Sequence, residues 1–183
     1  MKNPLKNINS NLLVALSAVL ISVCALVVSI YEVRIMRSEQ RLSAFPYLSI
    51  SKFYNGRGFG LRVKNSGTGL AFIKSYKIRT GDTYFQNWQE VVDHYAPEGH
   101  SINYGIMSTN GLQDEVITPN EEVVLFEVQW NEETRALSRN VDDLEIRVCY
   151  ASLLEDYWVV NMDNGRTQLS GPCKPNPKQE FMN

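Results

Sequence analysis

Residues Leu12 to Tyr31 are twenty consecutive positions without a charge. Wound as a helix they are roughly 30 Å long, the thickness of a bilayer's hydrocarbon core. A cleaved signal peptide has a shorter apolar stretch, about 7 to 15 residues, ahead of a small-residue cleavage site. Here the run is longer, and it ends in Tyr31, Glu32 and Arg34. Lipoprotein-type cleavage before Cys24 fits poorly, because Val23 is bulky and apolar residues continue past the cysteine. The run therefore predicts an uncleaved transmembrane helix. Good helix formers follow it without Gly or Pro until Pro46, which pushes Phe45 toward extended backbone. One helix over 11–44 is expected, after a short N-terminal tail over 1–10.

Within that helix Ala15, Ala18, Ser22, Ala25 and Ser29 recur in steps of three and four, so they share one seam. In lipid, helices associate through close packing, and small side chains let backbones approach. The seam predicts contact with a second copy or with a membrane partner's helix. Ser22 and Ser29 are expected to add interhelical hydrogen bonds of about 0.6 kcal/mol each.

Arg34, Arg37 and Arg41 follow the apolar run and suit phosphate headgroups, with Tyr31 in the interfacial belt. Lys2, Lys6 and the terminal amine precede it, so positive charge at the two ends nearly balances. A long C-terminal domain crosses largely regardless of its charge, which favours N-terminus inside and domain outside. The expected topology is single-pass, with the domain on the outer side of the membrane. Residues 1–79 carry 12 Lys and Arg against 2 acids, and residues 80–183 carry 6 against 18. Lipid attraction accounts for the basic half, and the acidic half makes nucleic acid an unsuitable partner. In an oxidising compartment Cys149 and Cys173 pair and stabilise the domain by about 3 kcal/mol; in the cytoplasm they stay free thiols.

After Pro46 the pattern changes to strands. "PYLSISKFY" and "LRVKN" read as strands separated by the turn cluster "NGRGFG", and "LAFIKSYKIRT" follows a second turn, "NSGTG". "TYFQNWQEVVDHYA" has near-helical apolar spacing, closed by Pro97. "HSINYGIMSTNGLQDE" reads as loop with one short strand. "EEVVLFEVQW" places Val124, Phe126, Val128 and Trp130 on one face. "NEETRALSRN" is a short helix capped by Asn131, with acids in its first turn. "DLEIRVCYAS" and "YWVVNM" form a hairpin through "LLED", and Asp163 to Gly165 ("DNG") favours another tight turn. About six to eight such strands predict a mainly β fold, an immunoglobulin-like β-sandwich with one or two short helices. The sandwich is expected over 46–170, with an extended, proline-rich tail over 171–183.

"VKNSGTGLAFIKSYKI" carries a more particular pattern. Asn65, Gly67, Gly69 and Ala71 match an N-x-G-x-G-x-A hairpin, and Arg41, Leu42, Ser43 and Pro46 match R-L-S-x-x-P after the helix. On these residues the chain resembles uncharacterised bacterial single-pass membrane proteins in which a transmembrane helix precedes an immunoglobulin-like β-sandwich. Leu70 stands where those proteins usually have Pro, and "VCYASLLEDYW" is similar to their final hairpin. The resemblance implies membrane anchoring and fold, and it implies no activity.

Constellations for chemistry are sparse. The glycines of "GRGFG" have strands on both sides, whereas a phosphate loop needs a following helix. His94 and His100, with Asp93 and Glu98, are of zinc-ligand type, but their spacing across Pro97 and Gly99 matches no metal template. G-x-S-x-G and H-E-x-x-H motifs are absent. Asp114, Glu115, Glu121 and Glu122 lack calcium-loop spacing. Trp88, Trp130 and Trp158 read mainly as core, with Trp88 the exposed exception. The sequence thus predicts a non-enzymatic, membrane-anchored interaction module without cofactor, metal or identified small molecule, its partners being lipid and a second copy or membrane protein. A metal-binding or hydrolytic domain using His94 and His100 is the alternative. A pilin-like subunit is a further one, although its processing signature is missing.

Overall fold

The computed structural model describes residues 10–96, 107–162 and 165–182. The chain divides into two compact units, residues 1–42 and 43–183. The first contains all but the last residue of α1 (Ser10–Ser43), 34 residues that stop short of Pro46, as that proline requires. α1 is long and apolar enough to cross a membrane, and none of its residues is buried.

The second unit holds ten strands among the described residues: β1 (Leu48–Tyr54), β2 (Gly58–Asn65), β3 (Ala71–Thr80), β4 (Thr83–Phe85), β5 (Met107–Thr109), β6 (Val116–Ile117), β7 (Glu122–Gln129), β8 (Glu145–Ala151), β9 (Tyr157–Asn161) and β10 (Gly165–Leu169). They form two antiparallel sheets. One has the order β1-β2-β7-β5; the other has the order β10-β9-β8-β3-β4, with β6 also on β3. Two short helices, α2 (Trp88–Tyr95) and α3 (Glu132–Asn140), pack onto a single core that draws on both sheets. Val63, Ile78, Leu125 and Val148 are fully enclosed at its centre.

Local chemistry explains most boundaries. The Asn55 side chain accepts from the Arg57 and Gly58 amides at 2.7 and 2.8 Å, closing the β1–β2 turn. The turn is thus shorter than the expected cluster "NGRGFG". Gly58 and Gly60 belong to β2, where a Cβ on Gly60 would strike the Phe53 ring and the Phe126 carbonyl. Asn87 and Asn131 cap α2 and α3, the latter in a reciprocal box with Thr134. The stretch expected to be one helix from Thr83 divides: Thr83–Phe85 pairs with β3 as β4, and the helix starts at Trp88.

In β7 the expected single face is interrupted. Register slips opposite Leu61 and Arg62, so Leu125 is the extra residue of a bulge. Phe126 and Val128 face the core as expected, but Leu125 is fully buried and Val124 only partly, while Val123 packs against the core. Asp163 and Asn164 of the expected "DNG" turn lie outside the described residues; β9 and β10 on either side pair in antiparallel register, Asn161 opposite Gly165.

The segment after β10 departs most from expectation. Its backbone is irregular, but it belongs to the domain rather than trailing from it. Cys173 is bonded to Cys149 of β8, with Cα atoms 6.1 Å apart. Further on, Glu180 accepts from Ser75 Oγ at 2.9 Å and from the Tyr76 amide at 3.0 Å, and the Phe181 amide donates to the Tyr76 carbonyl at 2.8 Å. These bonds fill the interval of the β3 edge between β6 and β4, covering backbone groups that an open edge would offer to another chain. The Phe181 ring is buried against Tyr76 and Trp88, with centroids 5.1 Å from each.

Candidate functional site

Ala15, Ala18, Ser22, Ala25 and Ser29 all lie on α1 and are exposed, as is every residue of that helix. The Ser22 hydroxyl donates to the Ala18 carbonyl at 2.8 Å. Its proton is therefore spent within the helix rather than on the interhelical bond expected of it. Arg34, Arg37 and Arg41 fall on one face of the last turns of α1, also exposed.

The N-x-G-x-G segment builds a clamp on the first residues of the domain. Asn65 is fully buried. Its Oδ1 accepts from the amides of Tyr47 (3.1 Å) and Gly67 (3.0 Å), and its Nδ2 donates to the carbonyls of Gly69 (2.8 Å) and Ile117 (3.0 Å). The amides of Ser66, Thr68 and Gly69 donate to the carbonyls of Tyr47 and Phe45 at 2.8 to 3.1 Å. A Cβ on Gly67 would meet the Phe45 carbonyl and Tyr47 amide, and one on Gly69 the Ala44 carbonyl. Both collisions are with backbone, so only glycine admits this approach.

Beside the clamp, the Arg166 guanidinium stacks on the rings of Phe45 and Tyr47, 4.7 and 4.3 Å from their centroids. Phe45 also meets Trp158 edge-on at 5.3 Å, and Trp158 stacks on Tyr150. Burial raises the Tyr150 phenol above its ordinary range, against the Leu48 amide that donates to its oxygen. Sequence spacing held no sign of Arg166, which reaches Phe45 and Tyr47 from more than a hundred residues along the chain.

The remaining sequence-level candidates are dispersed. His94, at the end of α2, packs on the rings of Phe85 and Tyr95; His100 lies outside the described residues. Among the described residues no three His, Cys, Asp or Glu side chains converge to hold a metal. Nearby, Asp143 accepts from Thr80 Oγ1 (2.6 Å) and Tyr95 Oη (2.8 Å), and these bonds hold its carboxyl below the ordinary range. Burial, with that bond to Asp143, pushes the Tyr95 phenol up to about 12.

The acidic residues separate too: Glu121 accepts from the Thr118 amide and hydroxyl, and Glu122 pairs with Arg62 at 3.0 Å. Trp88, expected exposed, is 2% exposed, because α2 turns it onto Phe126 and Phe181. Trp158 is buried, and Trp130 is the partly exposed one, its Nε1 donating to the Asn55 carbonyl at 2.8 Å.

Cys149 and Cys173 are brought together as the pairing requires. Along the disulfide runs a groove of about 590 Å³, between the outer face of β3, β8 and β9 and residues 169–174. Its charged lining groups are Lys77, Arg147 and Lys174, all cationic. No family model, curated protein or solved structure matches this chain.

Proposed function

We propose that this chain is a membrane-anchored, non-enzymatic interaction module of a bacterial inner membrane. α1 is the single span, and the domain is an immunoglobulin-like sandwich held on the oxidising, periplasmic side. The observation that carries the reading is α1 itself, twenty uncharged residues in a helix with no buried side chain, a surface that only lipid or another helix would cover.

Strand order supports the sandwich. β1-β2-β7-β5 has the order of an ABED sheet and β3-β8-β9 that of a CFG sheet, with β4 and β10 added at the two edges of the latter and β6 also on β3. The resemblance to bacterial single-pass proteins, carried by Asn65, Gly67, Gly69 and Ala71, points the same way. The Cys149–Cys173 bond supports the periplasmic side, since cytosolic reductants keep such thiols reduced.

The partner reading rests on the seam of Ala15, Ala18, Ser22, Ala25 and Ser29, through which α1 meets a second copy or a membrane partner. Arg34, Arg37 and Arg41 contact anionic headgroups. Crosslinking in native membranes tests this. Replacing Ala18 and Ser22 together with Leu is expected to abolish the crosslinked species at unchanged expression; undiminished crosslinking would retire the seam.

A further inference from the structure

The groove along the disulfide has a consequence that anchoring and association do not require. We infer that Cys149–Cys173 is an exchange site for a small thiol bearing carboxylates, which thiolates Cys173 and releases Cys149.

The two cysteines differ in exposure. Cys149 is 6% exposed within β8, while Cys173 lies half-buried at the groove's margin. An incoming thiolate therefore meets Cys173 first. Arg147 stands two residues before Cys149 on the same face of β8, and both line the groove. Lys77 is the direct cross-strand neighbour of Arg147, so two cations lie opposite each other beside the bond. Lys77 is partly neutralised by Glu180 at 3.7 Å and also donates to Gln179. Arg147 and Lys174 are exposed and make no ion pair among the described residues. Among the described residues no acid lines the groove, so its positive charge is uncompensated there.

That charge acts twice. It concentrates an anionic thiol at the groove, and it stabilises the departing thiolate, because neighbouring Lys and Arg lower a thiol's pKa and a lower-pKa thiol leaves faster. In the step, the incoming thiol gives its proton to solvent and its thiolate attacks Cys173 Sγ. A sulfur–sulfur bond forms there as the Cys149–Cys173 bond breaks, and the electron pair departs on Cys149 Sγ. The incoming sulfur is oxidised and Cys149 is reduced, so no further oxidant or reductant is needed. The covalent end of the C-terminal strap is then free, while Glu180 and Phe181 still hold its far end on β3.

Full-length protein carrying Cys24→Ala, in detergent micelles, tests the proposal with two probes, reduced glutathione and uncharged 2-mercaptoethanol. Peptide mapping is expected to place the glutathione adduct on Cys173 and an alkylatable thiol on Cys149. In the Arg147→Gln, Lys174→Gln double variant the ratio of glutathione to mercaptoethanol rates is expected to fall by about tenfold, as charge steering predicts. Raising salt on the unmutated pair should lower the same ratio, a check independent of how the variant folds. Adduct on Cys149, a ratio indifferent to both charge removal and salt, or a disulfide closed to both thiols at concentrations that open it in denatured chain would overturn the proposal.

Discussion

The domain fastens its two chain ends by different physics. At the start, Ala44 to Tyr47 are gripped by residues 65–69 through backbone hydrogen bonds, one buried asparagine and two glycines that admit backbone against backbone. At the finish, residues 171–182 are held by a disulfide, a carboxylate on the β3 edge and one buried ring. The first end relies on fit, so a single added carbon disrupts it. The second relies on separate anchors, and losing one leaves the others.

Substitutions can break this contrast, and the largest effect is expected at the start. Gly69→Val drives a side chain into the Ala44 backbone rather than into a side chain that could turn aside; destabilisation of about 4 kcal/mol is expected in denaturant melts of the detergent-solubilised chain. Phe181→Ala comes next, at about 3 to 4 kcal/mol, because it empties a ring site between Tyr76 and Trp88. A midpoint unchanged by that variant would mean the finish is an undocked tail after all.

Removing the disulfide as Cys149→Ser with Cys173→Ser closes no loop in the unfolded chain, and a loss of about 3 kcal/mol is expected. Asn65→Ala leaves the Tyr47 amide and the Gly69 and Ile117 carbonyls without their side-chain partner, at a cost of about 2 kcal/mol. The smallest effect is acid sensitivity at Asp143, which neither end involves. Its folded-state pKa is depressed, chiefly by the Thr80 hydroxyl and then by Tyr95. Its stabilisation is therefore complete above the unfolded value near pH 4, about where a free carboxyl titrates, and disappears as pH falls through the lower folded value. Asp143→Asn should flatten that acid limb in a pH series of melting temperatures.

The contrast also explains what was legible in the sequence. The helix up to Pro46, the capped helix after Asn131 and the β8–β9 hairpin rest on near neighbours, and their residues announce them. The N-x-G-x-G pattern stood out because glycines at fixed offsets report a local backbone demand. Glu180 and Phe181 sit among prolines in a stretch with no periodicity, and their partners Ser75 and Tyr76 lie about a hundred residues earlier. Trp88 departs from its expected exposure for a related reason. Its burial depends on Phe126 and Phe181, which no local pattern ties to α2. The bulge at Leu125 is likewise set by the partner strand, because Leu61 and Arg62 decide where register slips. The disulfide was open in the sequence as one of two states, since compartment rather than spacing decides it.

Anchoring, association through the seam and headgroup contact all depend on α1 staying in the bilayer as the tether. The most direct measurement is alkaline carbonate extraction of membranes from cells expressing the native chain, with the intact mass of the retained species. The account predicts that the protein stays in the membrane pellet with residues 12–31 still attached. A mature chain that begins after Tyr31, or one released to the supernatant with that segment intact, would contradict it.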